Sequence, residues 1–206
     1  MKTVMTIHNL KFQGVWDVKT IQHFSELPDY YFTPDKLEAY DDANYLKGGI
    51  VYADRVTTVS SSYAEEIKTP FYGEGLDGLL RARSNSLRGI VNGIDYNDFN
   101  PETDINLSAR YNATTFRKEK VKNKIQLQKD LGLEQDPKAM MIGIVSRLTD
   151  QKGFDLIAYI MDELCQDAVQ IVALGTGEER YENMFRHFDW KYHGKVSAPV
   201  SYTHLR

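Results

Sequence analysis

Two apolar runs, each followed by a polar turn and a helical pattern, constrain the fold of this chain more than any other feature. The runs extend from Met140 to Val145 and from Val169 to Leu174, and they have the length and composition of buried strands. Helical patterns follow them, over residues 153–165 and 178–190. Alternating strands and helices favour a parallel sheet with crossover helices. We therefore predict an α/β protein in which this region opens a Rossmann-like domain.

The first half of the chain carries the same alternation in shorter runs. Its strands and helices are predicted over residues 2–7 (strand), 40–52 (helix), 55–59 (strand), 60–68 (helix) and 87–91 (strand). Turn-forming residues are dense from Asn92 to Pro101, which is typical of a domain boundary. We predict two domains, at residues 1–91 and 92–198.

The loop after the first apolar run has the residues of an anion site. Its sequence, SRLTDQKG, places Arg147 and Lys152 between the carboxyl end of a strand and the start of a helix. Ligands of open α/β sheets bind at this edge, and free backbone N–H groups next to two cations suit a diphosphate. The alternative is that both side chains only solvate a loop, since Lys and Arg are mostly exposed.

The composition narrows the class of protein. Lys and Arg number 25 against 29 Asp and Glu, so the net charge of −4 favours neither nucleic acid nor an anionic membrane as partner. No apolar run is long enough to span a bilayer. The one cysteine, Cys165, excludes an internal disulfide framework and fits a reducing compartment, so we expect a cytoplasmic protein. Cys165 falls on the apolar face of a predicted helix, so we expect a buried thiol.

Several motifs occur in an order and spacing that resemble those of bacterial glycogen synthases and plant starch synthases. They lie at residues 6–14, 47–50, 53–60, 89–95, 146–153 and 174–177. The resemblance runs from Lys2 to about Ala198, and an ordered series of motifs is far more specific than one glycine-rich loop. We identify the chain as a member of this family, glycosyltransferase family 5.

The resemblance implies a GT-B fold, of which the chain would be the second half of one Rossmann-like domain joined to the first half of another. Residues 1–91 would belong to the acceptor-side domain and residues 92–198 to the nucleotide-sugar-binding domain, with the active site in the cleft between them. The implied reaction, in glycogen biosynthesis, is retaining transfer of glucose from ADP-glucose to the non-reducing end of an α-1,4-glucan. The partners would be a nucleotide sugar and an α-glucan; the oligomeric state stays open.

Seven positions match site residues of the family: His8, Asn9, Asn92, Arg147, Lys152, Gly175 and Gly177. By resemblance, Arg147 and Lys152 stabilise the departing diphosphate in place of a metal, and His8 lies against the transferred glucose. These three are the predicted catalytic residues, and the other four are predicted to bind substrate. No metal or other cofactor is expected, because no carboxylate cluster has the spacing of metal ligands.

Each of these matches has a plainer alternative. A histidine can close a turn at the end of a strand, and Asn92 precedes a glycine in a pair that favours turns whatever the function. Gly175 and Gly177 can serve the strand-to-helix turn alone. An NAD-dependent dehydrogenase fits only the general pattern, because Arg180 stands where the third glycine of its fingerprint would be.

The sequence has no counterpart of the family's N-terminal Lys-Thr-Gly-Gly loop or of its C-terminal glutamate-containing segment, which by resemblance complete the diphosphate, sugar and nucleotide sites. We therefore expect an interior piece that has no transferase activity alone and exposes apolar sheet faces. Residues 199–206 depart from the family, and we expect them to be non-native sequence. Two alternatives stay open: a non-catalytic remnant that binds glucan or nucleotide, and another GT-B glucosyltransferase that uses UDP-glucose.

Overall fold

A computed structural model describes residues 1–199 and divides into two compact units, Met1–Ile94 and Asp95–Arg206. The division falls three residues beyond the position that the turn-forming residues predicted. The tail predicted at residues 199–206 lies outside the described residues, except for Pro199. None of the described helices has both the length and the apolar character needed to cross a membrane.

The first unit contains ten regular elements in chain order. They are β1 (Val4–Ile7), β2 (Val15–Asp17), α1 (Val18–Ser25), β3 (Glu38–Ala39), β4 (Asp42–Asn44), α2 (Tyr45–Tyr52), β5 (Arg55–Thr58), α3 (Ser61–Glu66), α4 (Asp77–Ala82) and β6 (Leu87–Gly89).

A parallel sheet in the order β1-β5-β6 forms the centre of this unit. Ile7 pairs with Thr58, and Thr58 with Gly89, so the carboxyl ends of the three strands lie in register at one edge. Helices α2, α3 and α4 pack on the sheet through buried residues such as Ile50 and Leu80, both fully inaccessible. The sequence predicted these three strands, because short β-branched runs between turn signals are typical of buried parallel strands.

A second, antiparallel sheet in the order β2-β4-β3 was not predicted. Helix α2 consequently begins at Tyr45 and not at Tyr40, since Tyr40 and Asp41 adopt positive φ angles of 55° and 68° in the turn between β3 and β4. Asn44 caps the helix by accepting the Lys47 N–H at 2.8 Å. The strands are two or three residues long, which is too short for an alternation that a sequence pattern could detect.

Residues 95–199 of the second unit contain six α-helices and β-strands. They are α5 (Phe116–Asp130), β7 (Met140–Val145), α6 (Phe154–Leu164), β8 (Val169–Leu174), α7 (Glu179–Lys191) and β9 (Val196–Ser197). The strands form a parallel sheet in the order β7-β8-β9. Both predicted apolar runs are strands with the predicted bounds, and the helices that follow differ from prediction by one residue at each end.

The two sides of this sheet are covered unequally. Phe154 of α6 and Phe185 of α7 are buried against the sheet with Ala173 of β8. On the opposite face, at the edge strand β7, Gly143 and Val145 are exposed, and Val145 is 75% accessible. An apolar groove of about 600 Å³ lies between this strand and α5. The described residues therefore leave an apolar sheet face open, as expected.

The loops that follow β7 and β8 are joined backbone to backbone. Leu148 donates its N–H to the Thr176 carbonyl at 2.9 Å, and Glu178 donates its N–H to the Leu148 carbonyl at 2.8 Å. The sheet ladder thus continues past the ends of its strands, with Leu148 bridged to Gly177. This continuation fixes the two loops to each other at the carboxyl edge of the sheet.

Gly175 and Gly177 allow this close approach. A Cβ atom at Gly175 would overlap the Ser146 carbonyl oxygen, and one at Gly177 would overlap the Leu148 carbonyl. Neither glycine has a positive φ angle, so the requirement is for space and not for backbone freedom. The neighbouring loop alone therefore explains both glycines.

Asp54 fastens the start of the chain to the sheet. Its carboxylate accepts the Lys2 ammonium at 2.9 Å and the Thr3 N–H at 2.8 Å. These bonds, with that of Lys2 the larger influence, lower the pKa of Asp54 from 3.8 to about 2. The ionised carboxylate therefore stabilises the fold above pH 3.8, and that contribution is lost as the pH falls through 2.

We predict that Asp54→Asn lowers the urea midpoint of unfolding at pH 7, and that this effect shrinks as the pH falls towards 2, where the parent carboxylate is half protonated. The measurement is a series of unfolding curves between these pH values. Glu66→Gln is the control, because the exposed Glu66 carboxylate has no hydrogen bond or ion pair within residues 1–199. A difference between Asp54→Asn and the parent that does not vary with pH would contradict this account.

We predict that Gly175→Ala lowers the free energy of unfolding by roughly 2–4 kcal/mol, because the added methyl group must push two loop backbones apart. Gly143→Ala in β7 is the matched control, since nothing lies within 4 Å of its Cβ position. The control is expected to change stability by less than about 1 kcal/mol. Equal stabilities of the two variants, measured by chemical denaturation, would show that the loops are not in close contact.

Candidate functional site

His8 lies at the carboxyl edge of the first unit's parallel sheet. It follows the last residue of β1 and is exposed, and its imidazole makes no hydrogen bond with residues 1–199. The turn after β1 is closed instead by Asn9, whose side-chain oxygen accepts the Lys11 N–H at 3.0 Å. Tyr63 of α3 holds the same loop, since its hydroxyl accepts the Leu10 N–H at 3.3 Å. His8 is therefore not needed to form the turn.

Asn92 is also exposed, in a segment that leaves the same sheet edge. Residues 90–95 form neither helix, strand nor turn, and Gly93 has no positive φ angle. The plainer alternative, that Asn92 serves only a tight turn with Gly93, is therefore wrong. The turns come later, where Asp95 accepts the Phe99 N–H at 2.9 Å. The Asn92 side chain has no hydrogen bond within the described part of the chain.

The second half of the first motif, Gln13 and Gly14, has a structural task. The Gln13 side chain donates to the Glu74 carbonyl at 2.9 Å and accepts from the Asn44 amide at 2.5 Å. Gly14 adopts a φ angle of 64° and accepts the Tyr45 N–H at 3.2 Å. These two residues join the small antiparallel sheet to the loop before α4.

Arg147 and Lys152 lie on the loop between β7 and α6 in the second unit. Arg147 is the second residue after β7, and Lys152 ends a single 3-10 turn, Asp150–Lys152. Gly153 follows with a φ angle of 69° and begins α6, and no side chain caps the start of that helix. Within residues 1–199, neither cation has a hydrogen bond or ion pair through its side chain. Both are exposed, and Lys152 lies directly before a helix start, where an anion is favoured.

The 3-10 turn is held by the first residues of the segment that begins α7. Glu178 accepts the Asp150 N–H at 3.1 Å, and the Tyr181 hydroxyl donates to the Asp150 carboxylate at 2.5 Å. Arg180 forms ion pairs with both Asp150 and Glu178. The hydrogen bond to Asp150 raises the pKa of Tyr181 to about 12, so its hydroxyl remains a donor.

A further carboxylate steadies the second loop. Glu182 accepts the Gly177 N–H at 3.0 Å, which lowers the pKa of this carboxylate. The position at the start of a helix also favours negative charge. Glu178, Tyr181 and Glu182 were not identified from the sequence, although acidic residues directly after a glycine turn are a signal for such capping.

The structure thus groups the predicted site residues by unit. His8 and Asn9 in the first unit follow β1 at the carboxyl edge of its sheet, and Asn92 follows β6. The other four lie on the two joined loops of the second unit: Arg147, Lys152, Gly175 and Gly177. Among the described residues, no group of three or more His, Cys, Asp or Glu side chains could hold a metal ion.

Comparison with known proteins gives a consistent result. Residues 1–82 match the family model of the starch synthase catalytic domain. The chain is 71% identical over 203 residues to a glycogen synthase of Lachnospira eligens, covering 98% of this chain and 42% of that protein. It is 50% identical over 200 residues to a glycogen synthase of Thermotoga maritima, covering 97% of this chain and 41% of that protein.

A solved structure is also similar along the whole chain. The catalytic domain of starch synthase IV from Arabidopsis thaliana, bound to ADP and acarbose, superposes with a TM-score of 0.90 at 31% identity. The superposition covers 99% of this chain and 43% of that one. The chain thus spans about two fifths of the length of the relatives it matches. It is an α/β chain that forms part of a GT-B fold, and it belongs to the glycogen synthase and starch synthase family.

Proposed function

We propose that this chain is part of a synthase that transfers glucose from ADP-glucose to the non-reducing end of an α-1,4-glucan. The bond between the anomeric carbon and the diphosphate oxygen breaks, and an acceptor hydroxyl oxygen bonds to that carbon. The identity to glycogen synthases supports this reaction, as do the ADP and acarbose bound to the plant starch synthase. A cytoplasmic location, favoured by the single cysteine, is part of the proposal.

One observation supports the assignment of the proposed reaction to individual residues. Several family-motif residues have structural tasks: Gln13 joins two segments, and the Lys47 ammonium is held by the Pro34 and Glu38 carbonyls. Arg147 and Lys152, in contrast, are exposed cations with no side-chain partner within residues 1–199. A motif residue without a structural task is available to a ligand.

The proposed role of Arg147 and Lys152 is to stabilise the departing ADP. Negative charge grows on the diphosphate as the glycosidic bond breaks, and fixed cations at that place lower the energy of the transition state. The uncapped start of α6 adds backbone N–H groups of the same polarity. Gly175 and Gly177 support this arrangement by holding the two loops together, and we propose that the loop they form contacts the nucleotide.

His8, Asn9 and Asn92 are proposed to contact the sugar, on the resemblance of their motifs to those of the family. The imidazole of His8 and the amide of Asn92 are exposed without a partner among residues 1–199, so both are available for hydrogen bonds with hydroxyl groups. Polar groups around the ring suit the oxocarbenium-like transition state of glycosyl transfer.

The experiment uses a chimeric synthase in which residues 1–198 replace the matching segment of the Lachnospira eligens protein. We predict glucan synthesis from ADP-glucose, and a loss of kcat of about a hundredfold or more in Arg147→Ala and in Lys152→Ala. Lys118→Ala is the control, since Lys118 is an equally exposed cation at the start of α5.

Each part of this experiment has a result that would contradict the proposal. A chimera that folds with the stability of the Lachnospira eligens protein but makes no glucan would refute the proposed reaction. Faster transfer from UDP-glucose than from ADP-glucose would refute the proposed donor. Equal rates for Lys118→Ala and Lys152→Ala would remove the role assigned to the cations.

We also propose that the reaction needs no metal ion, since Arg147 and Lys152 supply the positive charge. The prediction is that the chimeric synthase keeps its full rate after exhaustive treatment with EDTA and dialysis. A rate that falls with EDTA and returns when Mg²⁺ or Mn²⁺ is added would contradict it. A magnesium-dependent kinase treated in parallel shows that the chelation is complete.

A further inference from the structure

Tyr181 connects the core of the second unit to the turn that carries Lys152. Its ring is 4% exposed and lies 5.5 Å, between ring centroids, from Phe154 at the start of α6. Phe154 in turn packs edge-to-face on Phe185 at 5.6 Å. A ring packed in this way cannot shift without disturbing its neighbours. The hydroxyl of Tyr181 is therefore a fixed point at the border of the core.

Tyr181 and Glu178 both form hydrogen bonds with Asp150. The Tyr181 hydroxyl donates to the Asp150 carboxylate at 2.5 Å, and Glu178 accepts the Asp150 backbone N–H at 3.1 Å. Asp150 is the first residue of the 3-10 turn that Lys152 ends, and its carbonyl accepts the Gly153 N–H at 3.0 Å. The start of the turn is thus fixed through both its side chain and its backbone.

Tyr181 and Arg180 both contact the Asp150 carboxylate, and the two contacts differ in strength. The ion pair with Arg180 is exposed, with 58% and 59% of the two side chains accessible, so solvent screens it. The bond from Tyr181 is a charge-assisted hydrogen bond whose donor ring is buried. Tyr181 is therefore the partner that can set the position of Asp150.

We propose that Tyr181 is a positioning residue: through Asp150 it fixes the turn that directs the Lys152 ammonium towards the diphosphate of the donor. The inference rests on the proposed function. A lysine side chain has four flexible carbons, so the precision of its charge depends on how firmly its backbone is held. Electrostatic stabilisation requires the charge to be in place before the reaction begins.

The same pair of helices provides a matched control. The Tyr192 hydroxyl donates to the Asp162 carboxylate at 2.6 Å, which is the same type of bond. It joins the other ends of α6 and α7, because Tyr192 directly follows α7 and Asp162 lies two residues before the end of α6. Tyr192→Phe therefore removes an equivalent bond without affecting the turn.

The experiment compares Tyr181→Phe and Tyr192→Phe in the chimeric synthase, each alone and combined with Lys152→Ala. We expect Tyr181→Phe to lower kcat/KM for ADP-glucose about three- to tenfold, the worth of one hydrogen bond, and Tyr192→Phe to leave it unchanged. Tyr181→Phe should have no further effect once Lys152 is alanine, because the two residues act in series. Equal unfolding midpoints of the two single variants show that the difference is not one of stability.

Hydrogen exchange gives a readout that does not require activity. We expect faster exchange of the amides at residues 150–153 in Tyr181→Phe and not in Tyr192→Phe. The inference would be overturned if amide exchange at residues 150–153 were unchanged in Tyr181→Phe, or if Tyr181→Phe had the same kcat/KM as Tyr192→Phe. It would also be overturned if Tyr181→Phe lowered kcat/KM by its full factor in the Lys152→Ala background. Failure of the proposed function would appear differently, as an inactive parent or as Lys152→Ala with the parental rate.

Discussion

The backbone contact between the loops after β7 and β8 is the constraint on which the second unit's candidate site depends. Two hydrogen bonds extend the parallel ladder beyond the strands, from Leu148 to Thr176 and from Glu178 back to Leu148. The contact is possible only because residues 175 and 177 lack a Cβ atom. Arg147 and Lys152 lie on the loop after β7, and the two glycines lie on the loop after β8. The glycines therefore set how far the two cations lie from the sheet.

An aromatic cluster next to this contact connects the buried core of the second unit to the charged residues of the loop. Phe154, Tyr181 and Phe185 come from the first residue of α6 and from the inner face of α7. Their burial supplies hydrophobic stabilisation, while the hydroxyl of Tyr181 brings a polar group from this core to Asp150. The loop after β7 is therefore held by backbone hydrogen bonds to the loop after β8 and by side-chain bonds from α7. Charged residues that must act on a ligand gain from such bracing, because an unsupported loop would spread their charge over many positions.

The motif residues that carry the family resemblance divide into two physical classes. Gln13, Lys47 and Asp54 satisfy backbone groups or other side chains, so their identity is explained by the fold alone. His8 and Lys152 are exposed and unpaired within the described residues, and no structural requirement accounts for them. Only the second class points to a ligand.

The sequence alone determined the elements whose signals are local. The strands Met140–Val145 and Val169–Leu174 are continuous apolar runs, and the helices after them carry a clear apolar stripe, so their bounds were predicted to within one residue. It also located Arg147 and Lys152 at the carboxyl edge of the sheet. Only the tertiary structure decided the small antiparallel sheet, the absence of a turn at Asn92, and the bond from Tyr181 to Asp150. Each of these depends on pairing between residues distant in the chain or on the path of the backbone, and neither composition nor periodicity records such contacts.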